Sequence, residues 1–219
     1  MKEKVKDKSQ RLTRRDVEVV SFVAEQNCVR LDTIGHLLTI LKYEVEERRL
    51  RKLGERWVRL GLLQKQVMLA NTPSIFWATN EGLKVAGISL HRGERTYSPS
   101  FSSLHHNLAV ARVAIEYKRF GSTWICERDL RKEFGDDHLA DGLAEYQGQR
   151  ILVEVDRTLK EANRLQKIML SNAKLPNVHL VDYWTTEKLF PVLDTHRKSL
   201  PTNIQERIRI FSLPTEVNN

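Results

Sequence analysis

Apolar positions in the first part of the chain recur with helical spacing. In 13–26, Val17, Val20 and Ala24 share one face, widened by Phe22 and Val23. Thr13 stands as N-cap with Asp16 three residues on, a variant of the capping box, and Asn27 closes the helix. A short helix is predicted from Asp32 to Leu38. A third, over 43–60, places Leu50, Leu53, Trp57 and Leu60 in one stripe. Its other faces carry Arg48, Arg49, Arg51, Lys52, Arg56 and Arg59. After Gly61 the pattern changes to alternation. LLQKQVML and IFWAT read as two strands joined by ANTPS, and Asn80-Glu81-Gly82 opens a short helix closed at Gly87.

Residues 88–102 keep no period and hold four serines and a proline, which marks a linker. Ser103 caps the next predicted helix, with Leu104, Leu108, Ala111 and Ile115 on one face and His105 and His106 in its first turn. TWICERDL reads as a strand. Two alternating runs then flank Gln147-Gly148. A two-residue turn there pairs Tyr146 with Gln149 and sets Asp141 opposite Glu154. Leu139, Asp141, Leu143 and Glu145 then share a face with Leu152, Glu154 and Asp156. A helix over 158–174, a strand VHLVDYWTT, a helix TEKLFPVLDTHR and a last strand RIRIFSL follow.

Charge changes the picture of the first half. Of the chain's 219 residues, 1–97 hold 19 Lys/Arg against 12 Asp/Glu, a net +7, whereas 98–219 hold 17 against 16, a net +1. A basic module joined to a neutral one points to a polyanion partner for the first. The basic stripe could also be a solvated face laced by pairs such as Glu44–Arg48 and Glu47–Arg51. Three helices and a hairpin in the order RRLRKLGERWVRLGLLQKQ…IFWATNEGLKVAG resemble the winged helix-turn-helix class. That resemblance implies a major-groove helix, with Arg reading guanine edges and the wing holding phosphates. The expected double-stranded DNA contacts are Lys42, Tyr43, Arg48, Arg49, Arg51, Lys52, Arg56, Asn71 and Thr72. Lys2, Lys4, Lys6 and Lys8 form a basic arm that adds non-specific affinity. A homodimer on a palindromic site is the matching expectation.

Nothing in the sequence suggests a membrane span or a leader peptide, so a cytoplasmic setting is expected. In that setting Cys28 and Cys126 read as reduced core residues, too few for a structural zinc site.

The facing acids carry the other candidate chemistry. Like charges across a sheet repel unless a cation, a shared proton or a basic neighbour intervenes. The order α-β-β-β-α-β-α-β resembles the PD-(D/E)XK nuclease core, in which an Asp and a Glu on neighbouring strands bind Mg²⁺ and a lysine orients the water. That resemblance implies Asp141 and Glu154 as metal ligands, with Asp156 standing where the lysine belongs. Asp141 lacks the motif's preceding proline. If the site is active, Asp141, Glu154, Asp156 and Lys160 are its catalytic residues and Mg²⁺ its cofactor; Lys167 is the other lysine in range. A carboxylate in the lysine's place argues against catalysis.

Together, the winged helix, the His-bearing helix and Glu154-Val155-Asp156-Arg157-Thr158 resemble the replication-relaxation family over residues 12–190. The expected fold is therefore α+β: a basic arm at 1–11, a winged helix-turn-helix domain at 12–87, a linker at 88–102 and an α/β PD-(D/E)XK nuclease-like domain, degenerate in its third motif, at 103–219. The resemblance implies a mobile-element protein accessory to DNA relaxation, mobilisation or replication, working beside a relaxase or replication protein. DNA binding by this route needs no cofactor. A transcriptional regulator using the same helix and a Mg²⁺-dependent nuclease are the alternatives.

Overall fold

A computed structural model describes residues 11–67, 72–89, 98–135 and 140–214. The chain is a mixed α+β protein of two compact units, Met1–Asn107 and Leu108–Asn219. The division falls within a helix, Phe101–Arg119, rather than at the predicted linker.

The first unit holds α1 (Arg14–Glu25), β1 (Val29–Arg30), α2 (Leu31–Ile40), α3 (Glu47–Arg59), β2 (Leu63–Gln66), β3 (Ile75–Ala78) and α4 (Asn80–Val85). Its three strands form an antiparallel sheet in the order β1-β3-β2, and β1 is a strand the periodicity did not predict. Two residues are too few for an alternating pattern to register.

The predicted capping box forms. The Thr13 hydroxyl accepts the Asp16 N–H, and the Asp16 carboxylate accepts the Thr13 N–H. That same carboxylate is fully buried and reaches across to α3, accepting the Trp57 indole N–H at 2.9 Å and pairing with Arg56 at 2.8 Å. Val19, Val20, Val23, Leu50, Leu53 and Trp57 are buried in the same unit.

α3 begins at Glu47, not at residue 43. The cause is the turn after α2. The N–H of Tyr43 bonds back to the Leu38 carbonyl, and Lys42 takes a left-handed φ of 63°. A residue in that conformation ends one helix and cannot begin the next. At the far end of the sheet, Thr79 caps α4 by accepting the Gly82 N–H. Gly82 is required there, because a Cβ would run into the Leu62 carbonyl.

The second unit continues that long helix, α5 (Phe101–Arg119), with β4 (Thr123–Cys126), α6 (Glu127–Phe134), β5 (Gly142–Tyr146), β6 (Gln149–Asp156), α7 (Ala162–Ala173), β7 (Leu180–Thr185), α8 (Phe190–Lys198), α9 (Thr202–Gln205) and β8 (Ile208–Ser212). The sheet order is β4-β5-β6-β7-β8, antiparallel through β6 and parallel from β6 to β8. Leu130, Leu143, Leu152, Leu165, Met169, Tyr183 and Leu193 form the core under one face. On the other face, Tyr117 of α5 lies against Trp124 and Trp184.

Two expectations change here. TWICERDL is a strand only to Cys126. ERDLRKEF is helical, with Glu127–Arg131 and Asp129–Lys132 pairs along its exposed side. The helix expected from 158 starts at Ala162, so Lys160 lies on the connecting segment before it. Both cysteines are buried, as expected, and among the described residues no helix is long and apolar enough to cross a membrane.

Burial alone would raise the pKa of Asp16, but the Thr13, Trp57 and Arg56 donors outweigh it and hold the carboxyl below its ordinary value. A depressed folded-state pKa stabilises the fold above the unfolded value, and that contribution is lost as pH falls through the folded one. Asp16→Asn should therefore cost about 2–4 kcal/mol at neutral pH. The penalty should shrink toward acid pH, as read by urea unfolding across a pH series; a penalty independent of pH would refute the charged role.

Candidate nucleic-acid interface and acid cluster

Two places carry the candidate residues, one in each unit. In the first, the α3 stripe Leu50, Leu53 and Trp57 turns inward, with Gly54 beside it against the Phe76 ring. Helical spacing then sets Arg48, Lys52, Glu55 and Arg59 along the line farthest from the core, and all four are exposed. Arg49 and Arg51 flank this line and are also exposed; Arg51 pairs with Glu47, as the spacing predicted. Glu55 pairs with Lys65 of β2 and so ties the helix to the hairpin.

Three of the expected contact residues sit elsewhere. Arg56 is turned toward Asp16 and donates to the Arg11 carbonyl, so its guanidinium serves the interior. Lys42 and Tyr43 precede α3, in the turn; the Tyr43 ring lies under Arg15, and its hydroxyl donates to Glu18. Thr72 is exposed just ahead of β3. Asn71 and the lysines of the basic arm lie outside the described residues.

In the second unit the predicted hairpin register forms. Tyr146 pairs with Gln149 and Leu143 with Leu152, while Gln147 and Gly148 both take positive φ, at 49° and 77°. Two such residues make the turn that suits the strand twist. Asp141 stands one residue before β5, and its carboxylate accepts the Val155 N–H at 2.7 Å. Glu154 and Asp156 are buried in β6.

Each acid is answered by a specific group. Asn172 of α7 donates to Glu154 at 2.9 Å and, at 3.4 Å, to the Tyr183 hydroxyl. Burial, reinforced by the Glu154 charge, keeps the Tyr183 phenol protonated well above its ordinary range. The Lys160 ammonium lies 2.6 Å from Asp156 and 3.9 Å from Glu154. Burial opposes the charge on Lys160, but Glu154, Asp156 and Asp141 outweigh it and raise its pKa. Lys167 is exposed on α7. Arg150, also on this hairpin, pairs with Glu133 and Glu145.

This donor set does not fit a Mg²⁺ shell. Carboxylate oxygens are held by a backbone N–H, an amide and an ammonium, and among the described residues no three His, Cys, Asp or Glu side chains gather to hold an ion. His105 is exposed and His106 half-buried, so they join no such group.

One acid escaped the sequence reading. Asp182 is buried in β7 on the opposite face, where Arg209 holds it with two bonds of 2.7 and 2.8 Å and the Tyr117 hydroxyl donates at 2.5 Å. Its signal was available: an aspartate inside the apolar run LVDYW.

Asn172→Ala removes the amide that faces buried Glu154. The expected loss is about 1–3 kcal/mol, read by thermal or urea unfolding; an unchanged midpoint would show that Glu154 does not depend on that donor. Comparison of the chain with protein-family models, with curated proteins and with solved structures finds no match.

Proposed function

We propose that the chain is a sequence-specific double-stranded DNA-binding protein whose first unit is a winged helix-turn-helix, with α3 as the recognition helix. The observation that carries this reading is the row Arg48, Lys52 and Arg59, exposed on a helix whose opposite side is fixed by Trp57 and Asp16. A rigid helix with basic residues outward suits the major groove, where Arg bonds guanine and Lys meets phosphate. The turn at Lys42 supports it by separating α2 from α3, and the β2–β3 hairpin follows at the position of a wing. Arg49, Arg51 and Thr72 are flanking contacts in this reading.

The second unit is proposed as a PD-(D/E)XK-like domain that works without catalysis. The hairpin that sets Asp141 beside β6 supports the relationship, and the ammonium seated among the acids argues against turnover. The replication-relaxation resemblance then suggests an accessory in DNA relaxation, mobilisation or replication, with a relaxase or replication protein as partner. Genome-wide mapping of the bound sites separates this role from transcriptional regulation: sites at transfer or replication origins support it, and promoter sites overturn it.

Fluorescence anisotropy with the mapped site tests the interface. Arg48→Ala and Lys52→Ala should each weaken specific binding by about 1–3 kcal/mol, with Lys52→Ala also lowering the salt slope by about one if it meets a phosphate. Arg56→Ala should instead lower the unfolding temperature. Binding that ignores salt, or that survives loss of both Arg48 and Lys52, would reject α3 as the DNA-reading element.

A further inference from the structure

Residues 98–219 balance 17 Lys/Arg against 16 Asp/Glu, but that balance is not spread evenly over the surface. On α6 and the hairpin, acids and cations pair locally: Glu127 with Arg131, Asp129 with Lys132, and Glu133 and Glu145 with Arg150. Helix α7 departs from this. It buries Leu165, Ile168, Met169 and Ala173, so its other side is turned outward. There Arg164, Lys167, Ser171 and Lys174 follow one another at steps of three and four residues, and all are exposed. None of the three cations pairs with a described carboxylate. Glu161, the acid at the helix start, is occupied as the cap, accepting the Asn163 and Arg164 N–H groups. Gln166 bonds Ser199 and so seats the end of α8 alongside, where Arg197 and Lys198 share the single carboxylate of Asp194. That end is basic too.

The row fits one kind of partner. At about 1.5 Å per residue it runs roughly 15 Å from Arg164 to Lys174, the length of several successive phosphates of one DNA strand. Ser171 and Asn163 add neutral donors of the sort that phosphates accept. A protein partner would call for an apolar or aromatic anchor at the centre, and the row has none. A lipid surface would call for an apolar face left free, whereas that of α7 is spent against the core.

We propose that the second unit carries its own DNA contact, in which the outward row of α7 holds the phosphate backbone of a duplex independently of its sequence. This extends the DNA-binding reading to the second unit, but it does not depend on α3 as the reading helix.

The test uses the full chain and a random-sequence DNA duplex, followed by fluorescence anisotropy across a salt series. Lys167→Gln/Lys174→Gln should weaken binding at least about tenfold at physiological salt and lower the salt slope by about two. Lys167→Arg/Lys174→Arg, which keeps the charge, should retain both. Arg131→Gln/Lys132→Gln removes as much charge from α6, where it is paired, and should change little. An α7 pair without effect, or an α6 pair with an equal one, overturns the proposal. Arg48→Ala/Lys52→Ala separates the two readings: a loss there with none from α7 leaves only α3 as a contact, and the reverse leaves only α7. Sedimentation with phosphatidylserine vesicles is the last arm. A row that is needed for vesicle binding but not for duplex binding faces a lipid surface, which also overturns the proposal.

Discussion

Taking a carboxylate out of water costs several kcal/mol unless donors or a cation replace its hydration. Both units of this chain are organised around that constraint. Asp16 is fully buried between α1 and α3, and satisfying it requires Thr13 from before α1 and both Arg56 and Trp57 from α3. The cap of one helix and the anchoring of another therefore form together. The outward direction of Arg48, Lys52 and Arg59 follows from that anchoring, because once Trp57 faces Asp16 the rest of α3 has only one orientation.

The second unit solves the same problem three times. Asp182 takes Arg209 and Tyr117 on one face of the sheet. Glu154 takes Asn172 on the other, and Asp156 takes Lys160. The groups come from α5, α7, β8 and the 157–161 segment, which the chain order scatters over almost a hundred residues. Such networks bind the helices to the sheet more specifically than the apolar core does, since each donor must arrive with its own geometry. The two faces of the sheet carry different solutions: at Asp182 of β7 a bidentate guanidinium from the neighbouring strand β8, at Glu154 of β6 an amide from a helix.

The acid cluster is neutralised by groups of the chain itself. The hairpin places Asp141 at the start of one strand beside the β6 acids, as the nuclease-like reading requires. The charge balance differs from that reading, because an ammonium is already seated on the third acid. Local sheet geometry is set by backbone pairing and is indifferent to which cation neutralises the acids.

Much of this was legible along the chain. The Thr13–Asp16 cap, the Leu50/Leu53/Trp57 stripe and the Gln147-Gly148 register all depend on residues within a few positions of each other, where spacing alone fixes geometry. The failures have a common cause. Arg56 looked like its basic neighbours on α3, and only the packing of α1 turned it inward. Tyr43 read as the start of a helix, but its bond back to Leu38 closes the turn instead. Lys160 could not be assigned to its acids, because α7 begins later than its pattern suggested and the segment before it folds back over the sheet. The sequence by itself determined the cap of α1, the buried stripe of α3, which strands pair in the hairpin and which half is basic, since those follow from local spacing and composition. Only the tertiary structure decided which charges face water and which face one another, because burial brings together groups that are remote along the chain.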